Sequence, residues 1–198
     1  MSGSDAKTGR SDARRNRERI LVAARAAFAA DGAALEMRRI AEDAGVGVGT
    51  LFRNFPAKQD LVDAMMAEWA VERDAALAHS LSIVDPWAAV VDHVLRCGEV
   101  MSREPGLRRF LTDAPVKGQV SQADTKFSAS LGELVGRAQI AGVLRTGVTA
   151  ATYYGLLVGL SAAITAGSPW RVAADVIVAG LRPDQALSVN GPRSQRHS

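Results

Sequence analysis

The sequence predicts an all-α protein, and three observations carry that prediction. Apolar residues recur at helical spacing, as at Ile20, Ala24, Ala27 and Phe28. Ala, Leu, Val and Arg are abundant while aromatic residues make up only 5% of the chain, a mixture that favours helices over sheets. No strand-length alternating run and no internal repeat is visible in the 198 residues.

The elements follow in chain order. Residues 1–12 lack periodicity and are expected to form a flexible basic arm. From Arg14 the pattern is helical; Ser11 or Asp12 is placed to cap its start and Asp31-Gly32 to stop it, since Gly enters a left-handed cap without strain. A short second helix turns Met37, Ile40, Ala41 and Ala44 inward and ends at Gly45. A third, near 48–54, presents Leu51 to the core, and Phe55-Pro56 closes it. A long helix then runs over about 57–80. Asp85-Pro86 opens the next, because Pro is preorganised for the first helical position, and Glu104-Pro105-Gly106 ends it. A short amphipathic segment at 107–111 precedes a looser stretch at 112–120 and a helix over 122–141. Gly142 and Gly147 bracket a turn, Thr149 caps a helix reaching Ala166, and Ser168-Pro169 opens a last helix that ends at Leu181-Arg182-Pro183. The residues divide into a head at 13–58, a helical body at 59–185 and a disordered tail at 186–198.

Charge is unevenly spread. Residues 1–58 hold eleven Lys and Arg against seven Asp and Glu, while the rest of the chain is nearly balanced. The basic excess thus falls where a polyanion would be met, or forms a solvated face. The single cysteine, Cys97, excludes an internal disulfide and fits a reducing cytoplasm. The N-terminus has no apolar signal core, and the most apolar stretch, 150–166, is too short for a membrane span and contains Thr152, Ser161 and Thr165. No membrane partner is expected.

The head carries the motif. A helix-turn-helix needs a small residue where two helices cross, a turn residue that tolerates positive φ, and an apolar anchor pointing back from the second helix. Ala41, Gly45 and Leu51, with Ile40 and Val46, supply these, and Arg38, Arg39 and Arg53 fall on outer faces. Gly45-x-Gly47-x-Gly49 is not a dinucleotide fingerprint, because an Arg-rich helix rather than a strand precedes it.

The run 40–58, from Ile40-Ala41 through Gly45-Val46 and Leu51-Phe52 to Phe55-Pro56-Ala57-Lys58, resembles the signature of the TetR family of regulators. Residues 19–32 resemble that family's first helix. The resemblance implies a homodimer whose third helices enter the major groove of a palindromic double-stranded operator, and a C-terminal helical domain that dimerises and holds a small-molecule effector. Carried over by position, Gly47, Val48, Gly49 and Thr50 begin the reading helix, and Arg53 reaches a phosphate or a guanine edge. Lys58, Arg38, Arg14, Arg15 and Arg17 are the implied phosphate contacts. Gly47 stands where a capping hydroxyl is frequent, Phe52 where Tyr is common, Asn54 for a frequent His, and Ala57 for another capping hydroxyl.

In the body, Met66, Trp69, Trp87, His93, Cys97, Met101, Phe110, Phe127, Leu131 and Tyr153 either pack a core or line the effector cavity, with His93 and Tyr153 as polar handles. Gly155, Gly159, Ala162, Ala163 and Ala166 form a stripe of small residues. With Val172, Val176 and Ala179 of the last helix it packs either internally or across a two-fold axis, and the resemblance favours the latter. His93 and Cys97 are half a metal site with no second pair of ligands in view, and no nucleophile sits with a base and an orienting group, so no metal, cofactor or catalysis is expected. The resulting expectation is a ligand-responsive repressor; an activator of the same fold or a helical protein-interaction module are the alternatives.

Overall fold

The computed structural model describes residues 4–113 and 122–183. The expectations for residues 114–120 and for the tail at 186–198 lie outside the described residues. Nine α-helices and one 3-10 turn are described: α1 (Ser4–Asp31), the turn Gly32–Ala34, α2 (Met37–Asp43), α3 (Val48–Asn54), α4 (Lys58–Ser82), α5 (Pro86–Arg103), α6 (Pro105–Asp113), α7 (Gln122–Ile140), α8 (Ala150–Thr165) and α9 (Trp170–Leu181). No strand occurs among the described residues.

The flexible arm expected through residue 12 is instead helical from Ser4. Ser11 and Asp12 therefore lie inside α1 rather than capping it. Arg15 hydrogen-bonds Ser11 at 2.9 Å and pairs with Asp12, and Arg14 lies 3.5 Å from Glu18. Such pairs three and four residues apart support a helix that has no apolar face at this end. Elsewhere the punctuation acts as expected. Gly32 ends α1 at φ 58°, Asp85 accepts the Ala88 N–H at 2.6 Å ahead of Pro86, and the Thr149 hydroxyl accepts the Thr152 N–H at 3.1 Å.

Two hydrophobic cores hold these helices. The first buries Ile20, Ala24, Ile40, Leu51, Phe55, Leu61, Met65 and Trp69. The second buries Leu77, Val90, Val94, Leu131, Leu134, Tyr153, Leu157 and Leu160. Helix α4 serves both, so the head's core reaches past the expected boundary at residue 58, through Trp69. Arginines close several helix ends, where carbonyls have no partner within the helix. Arg109 donates to Ala30 O of α1 at 2.6 Å, Arg108 to Met101 O of α5 at 2.5 Å, and Arg137 to Leu81 O in the last turn of α4 and Ile83 O just after it, at 2.6 and 2.7 Å.

A polar chain runs through the second core. His93 and Tyr153 are fully buried, with His93 Nδ1 3.0 Å from the Tyr153 hydroxyl and His93 Nε2 3.6 Å from Cys97 Sγ. The Tyr153 hydroxyl donates to the Val90 carbonyl at 3.5 Å. That carbonyl can only accept, which leaves the hydroxyl to accept from Nδ1–H and leaves Nε2 bare towards the Cys97 thiol. Burial pushes the His93 imidazole down to about 4. The unfolded chain therefore takes up a proton below its ordinary value near 6.5 that the folded chain refuses. Stability from this site is complete above pH 6.5 and declines as pH falls towards 4, by about 3 kcal/mol across the window. Urea unfolding at pH 7 and pH 4.5 measures this decline, and His93→Gln should flatten it.

Candidate functional site

The exposed surface of the head is built around the α2–α3 turn. Gly45 takes φ 61°, a conformation with little cost only for Gly, and the Arg19 guanidinium donates to its carbonyl at 3.0 Å. Gly47 follows in extended backbone and its carbonyl accepts the N–H groups of Thr50 at 2.8 Å and Leu51 at 3.1 Å, starting α3 without a side-chain cap. Leu51 is fully buried, which fixes the helix's rotation. The opposite face is open: Gly47, Val48, Gly49, Phe52 and Arg53 are exposed and Thr50 is half-buried. Arg38 and Lys58 are exposed on flanking helices. Ala57 offers no capping hydroxyl, but Asp60 reaches back to accept its N–H at 2.8 Å.

Not every expected phosphate contact is equally free. Arg14 and Arg15 hold exposed intrahelical partners, which are weak enough to exchange for a phosphate. Arg17 lays its guanidinium 4.5 Å over the ring of buried Phe55, bracing the end of α3. Arg19, absent from the expected set, holds the turn. Its role depends on a contact 26 residues away, which sequence spacing does not reveal.

A cavity of about 440 Å³ lies in the body among α4, α5, α6, α7 and α8. Of the residues named from the sequence, Met66, Trp69, Cys97, Met101 and Phe127 line it. Trp87, His93, Leu131 and Tyr153 do not. Trp87 sits in the first turn of α5 beneath the Arg182 guanidinium, 4.5 Å from its ring, and the other three point into the second core. The Phe110 side chain lies outside the described residues. Tyr154, one position on from the expected Tyr153, faces the cavity with Leu157 and Val158. Burial pushes the Cys97 thiol up to about 12, so it meets the cavity as a neutral, weakly polar group.

Head and cavity share residues. Arg25 of α1 lies 2.5 Å from Glu68 and 4.0 Å from Glu72 on α4, and 3.8 Å from Glu104 after α5. Trp69 packs edge-on against Phe28 of α1 while lining the cavity. Gly106 of α6 fits close to both: a methyl there would approach the Arg25 carbonyl to 3.0 Å and the Trp69 ring to 3.4 Å.

On the far side, Gly155, Gly159, Ala162, Ala166, Val172 and Val176 are exposed and Ala163 and Ala179 half-buried. Internal packing leaves the exposed members of this stripe uncovered. Among the described residues no group of three His, Cys, Asp or Glu is placed to hold a metal ion, and no helix is long and apolar enough to cross a membrane.

Comparison with known proteins agrees with this architecture. The model of the bacterial regulatory proteins of the TetR family matches residues 20–65, and the SbtR-like transcriptional regulator C-terminal domain matches residues 85–183. The chain is 33% identical over 116 residues to the HTH-type transcriptional repressor KstR of Mycolicibacterium smegmatis, covering 57% of each protein. The chain thus spans little more than half the length of that curated relative. The crystal structure of a TetR transcription regulatory protein from Mycobacterium vanbaalenii shares 35% identity, covering 87% of this chain and 98% of that one, with a TM-score of 0.57. FadR from Bacillus subtilis in complex with stearoyl-CoA is 12% identical with a TM-score of 0.67, over 82% of this chain and 95% of that one, a likeness of fold alone. The chain belongs to the TetR family of bacterial regulatory proteins.

Proposed function

We propose that the chain is an operator-binding transcriptional repressor, a homodimer released from DNA by a small molecule in the body cavity. The exposed face of α3 carries this reading. Val48 and Gly49 leave room at the helix start for close approach to base edges, and Arg53 one turn later has the forked donors that match guanine O6 and N7. Arg38 and Lys58 flank it, where phosphates would run on either side of a groove. The relative KstR is named a repressor, which favours repression over activation. The reading is of a binding protein rather than an enzyme, acting in the cytoplasm where its operator lies.

Dimerisation is proposed through α8 and α9. Small residues on α8 let two helices approach closely, and Val172 and Val176 add apolar area that water otherwise covers. Effector entry is proposed to act on α4. A ligand against Trp69 and Glu72 presses on the same residues that hold α1, and α4 begins at Lys58 beside the reading helix.

Two measurements test the proposal. In a gel-shift titration against the promoter region beside its own gene, Arg53→Ala with Lys58→Ala should abolish retardation at moderate salt while the far-ultraviolet spectrum is kept. Removing one phosphate-binding side chain should flatten the salt dependence by roughly one unit of slope; absence of any shift at low salt by the unmodified protein refutes DNA binding. In sedimentation, Val172→Glu with Val176→Glu should convert dimer to monomer, since two like charges would then face their symmetry mates. A dimer that survives this change places the interface elsewhere.

A further inference from the structure

If the cavity is an effector site as proposed above, its walls and rim also select the charge of what enters. The interior is apolar, with Met66, Met101, Leu157 and Val158 offering no hydrogen bonds to a ligand. The charged groups that line it are Asp63, Glu72 and Arg73. Arg73 is already compensated, both Nε and Nη2 lying 3.0 Å from Asp74 Oδ1. The two carboxylates are not. Asp63 accepts only from the uncharged Gln59 amide, at 2.8 Å, in the hydrogen bonds described. Glu72 is 4.0 Å from Arg25, but that single guanidinium is shared with Glu68 at 2.5 Å and Glu104 at 3.8 Å. One positive charge among three carboxylates leaves the Glu72 end of the cavity negative.

Aromatic rings strengthen the same preference. Trp69, Phe127 and Tyr154 line the cavity, and a ring face attracts a cation and not an anion. The wall already accommodates two: the Arg73 guanidinium lies 3.9 Å over the Phe127 ring, and the Arg25 guanidinium, which a ligand at Glu72 would have to displace, lies 5.9 Å from the Trp69 ring centre. Glu72 stands three residues on from Trp69 on the exposed side of α4, so a carboxylate and an indole meet at one edge of the opening.

We infer that the cavity takes an amphipathic monocation, an apolar body carrying one ammonium-type group, with the body inside and the charge between Glu72 and Trp69. A free carboxylate, or a coenzyme A ester with its several phosphates, meets the wrong sign of charge at this rim. The assignment also gives the ligand a route to the head, since a cation at Glu72 competes with Arg25 for that carboxylate and so loosens one tie between α4 and α1.

Calorimetric titration of the full chain with four ten-carbon probes tests this: decyltrimethylammonium below its micellar concentration, decanol, decanoate and decanoyl-coenzyme A. The ammonium should bind about tenfold or more tighter than decanol, with the two anions weakest. Glu72→Gln should bring the ammonium to within about twofold of decanol, and Asp63→Asn should have a smaller effect, because it lies farther from the proposed head-group position. Tighter binding of decanoate or decanoyl-coenzyme A than of the ammonium overturns the charge assignment but leaves the cavity an effector site. A tenfold preference that persists in Glu72→Gln also overturns it. Binding by none of the four overturns both the assignment and the effector reading of this cavity, while the gel shift still judges DNA binding separately.

Discussion

Helix α4 belongs to two cores at once, and the rest of the molecule is arranged around that constraint. Its first twelve residues contribute Leu61, Met65 and Trp69 to the core of the head, and Leu77 enters the core of the body. A helix of 25 residues is about 37 Å long and bends little. It therefore carries displacement from one core to the other instead of absorbing it. Trp69 stands at the junction, packed on Phe28 on one side and exposed to the cavity on the other. Because close-packed interiors resist small changes of volume, an occupant larger than the cavity must move this junction or strain it.

Arginine does much of the joining. The head's excess of basic residues looks like a footprint for DNA, yet the structure divides it by task. Arg53 and Arg38 remain on the open surface, whereas Arg17, Arg19 and Arg25 hold the head together or bind it to the body. Arg109, from the body, closes the end of α1 by donating to Ala29 O and Ala30 O. A planar guanidinium suits these positions because one side chain can satisfy two carbonyls or two carboxylates together. The exposed ion pairs among them contribute little to stability.

How much is legible in the sequence differs between head and body for a physical reason. In the head, short helices with one buried face and tight turns at Gly45 and Phe55-Pro56 leave a clear pattern, and Ile40, Ala41 and Leu51 are buried where the spacing puts them. The start of α1 escapes that pattern because its support is ion pairing and not apolar periodicity. In the body, α8 is apolar on nearly every side, so periodicity cannot tell which face meets the cavity. A rotation of one residue gives the place expected for Tyr153 to Tyr154 and sends Tyr153 to His93. Asp63 and Glu72 do not stand out in the sequence because exposed carboxylates on a helix are ordinarily solvated; only the cavity beside them gives them a role.

The central claim is that reading head and cavity are one mechanical unit joined through α4. Hydrogen–deuterium exchange of the free and operator-bound protein tests it most directly, since coupling between two sites must act in both directions. Slower exchange should extend from α3 through the Trp69 turn of α4 to the cavity-lining residues as far as Ala76 and into α6. Protection that stops at the start of α4, with the cavity walls exchanging as in the free protein, would contradict the account.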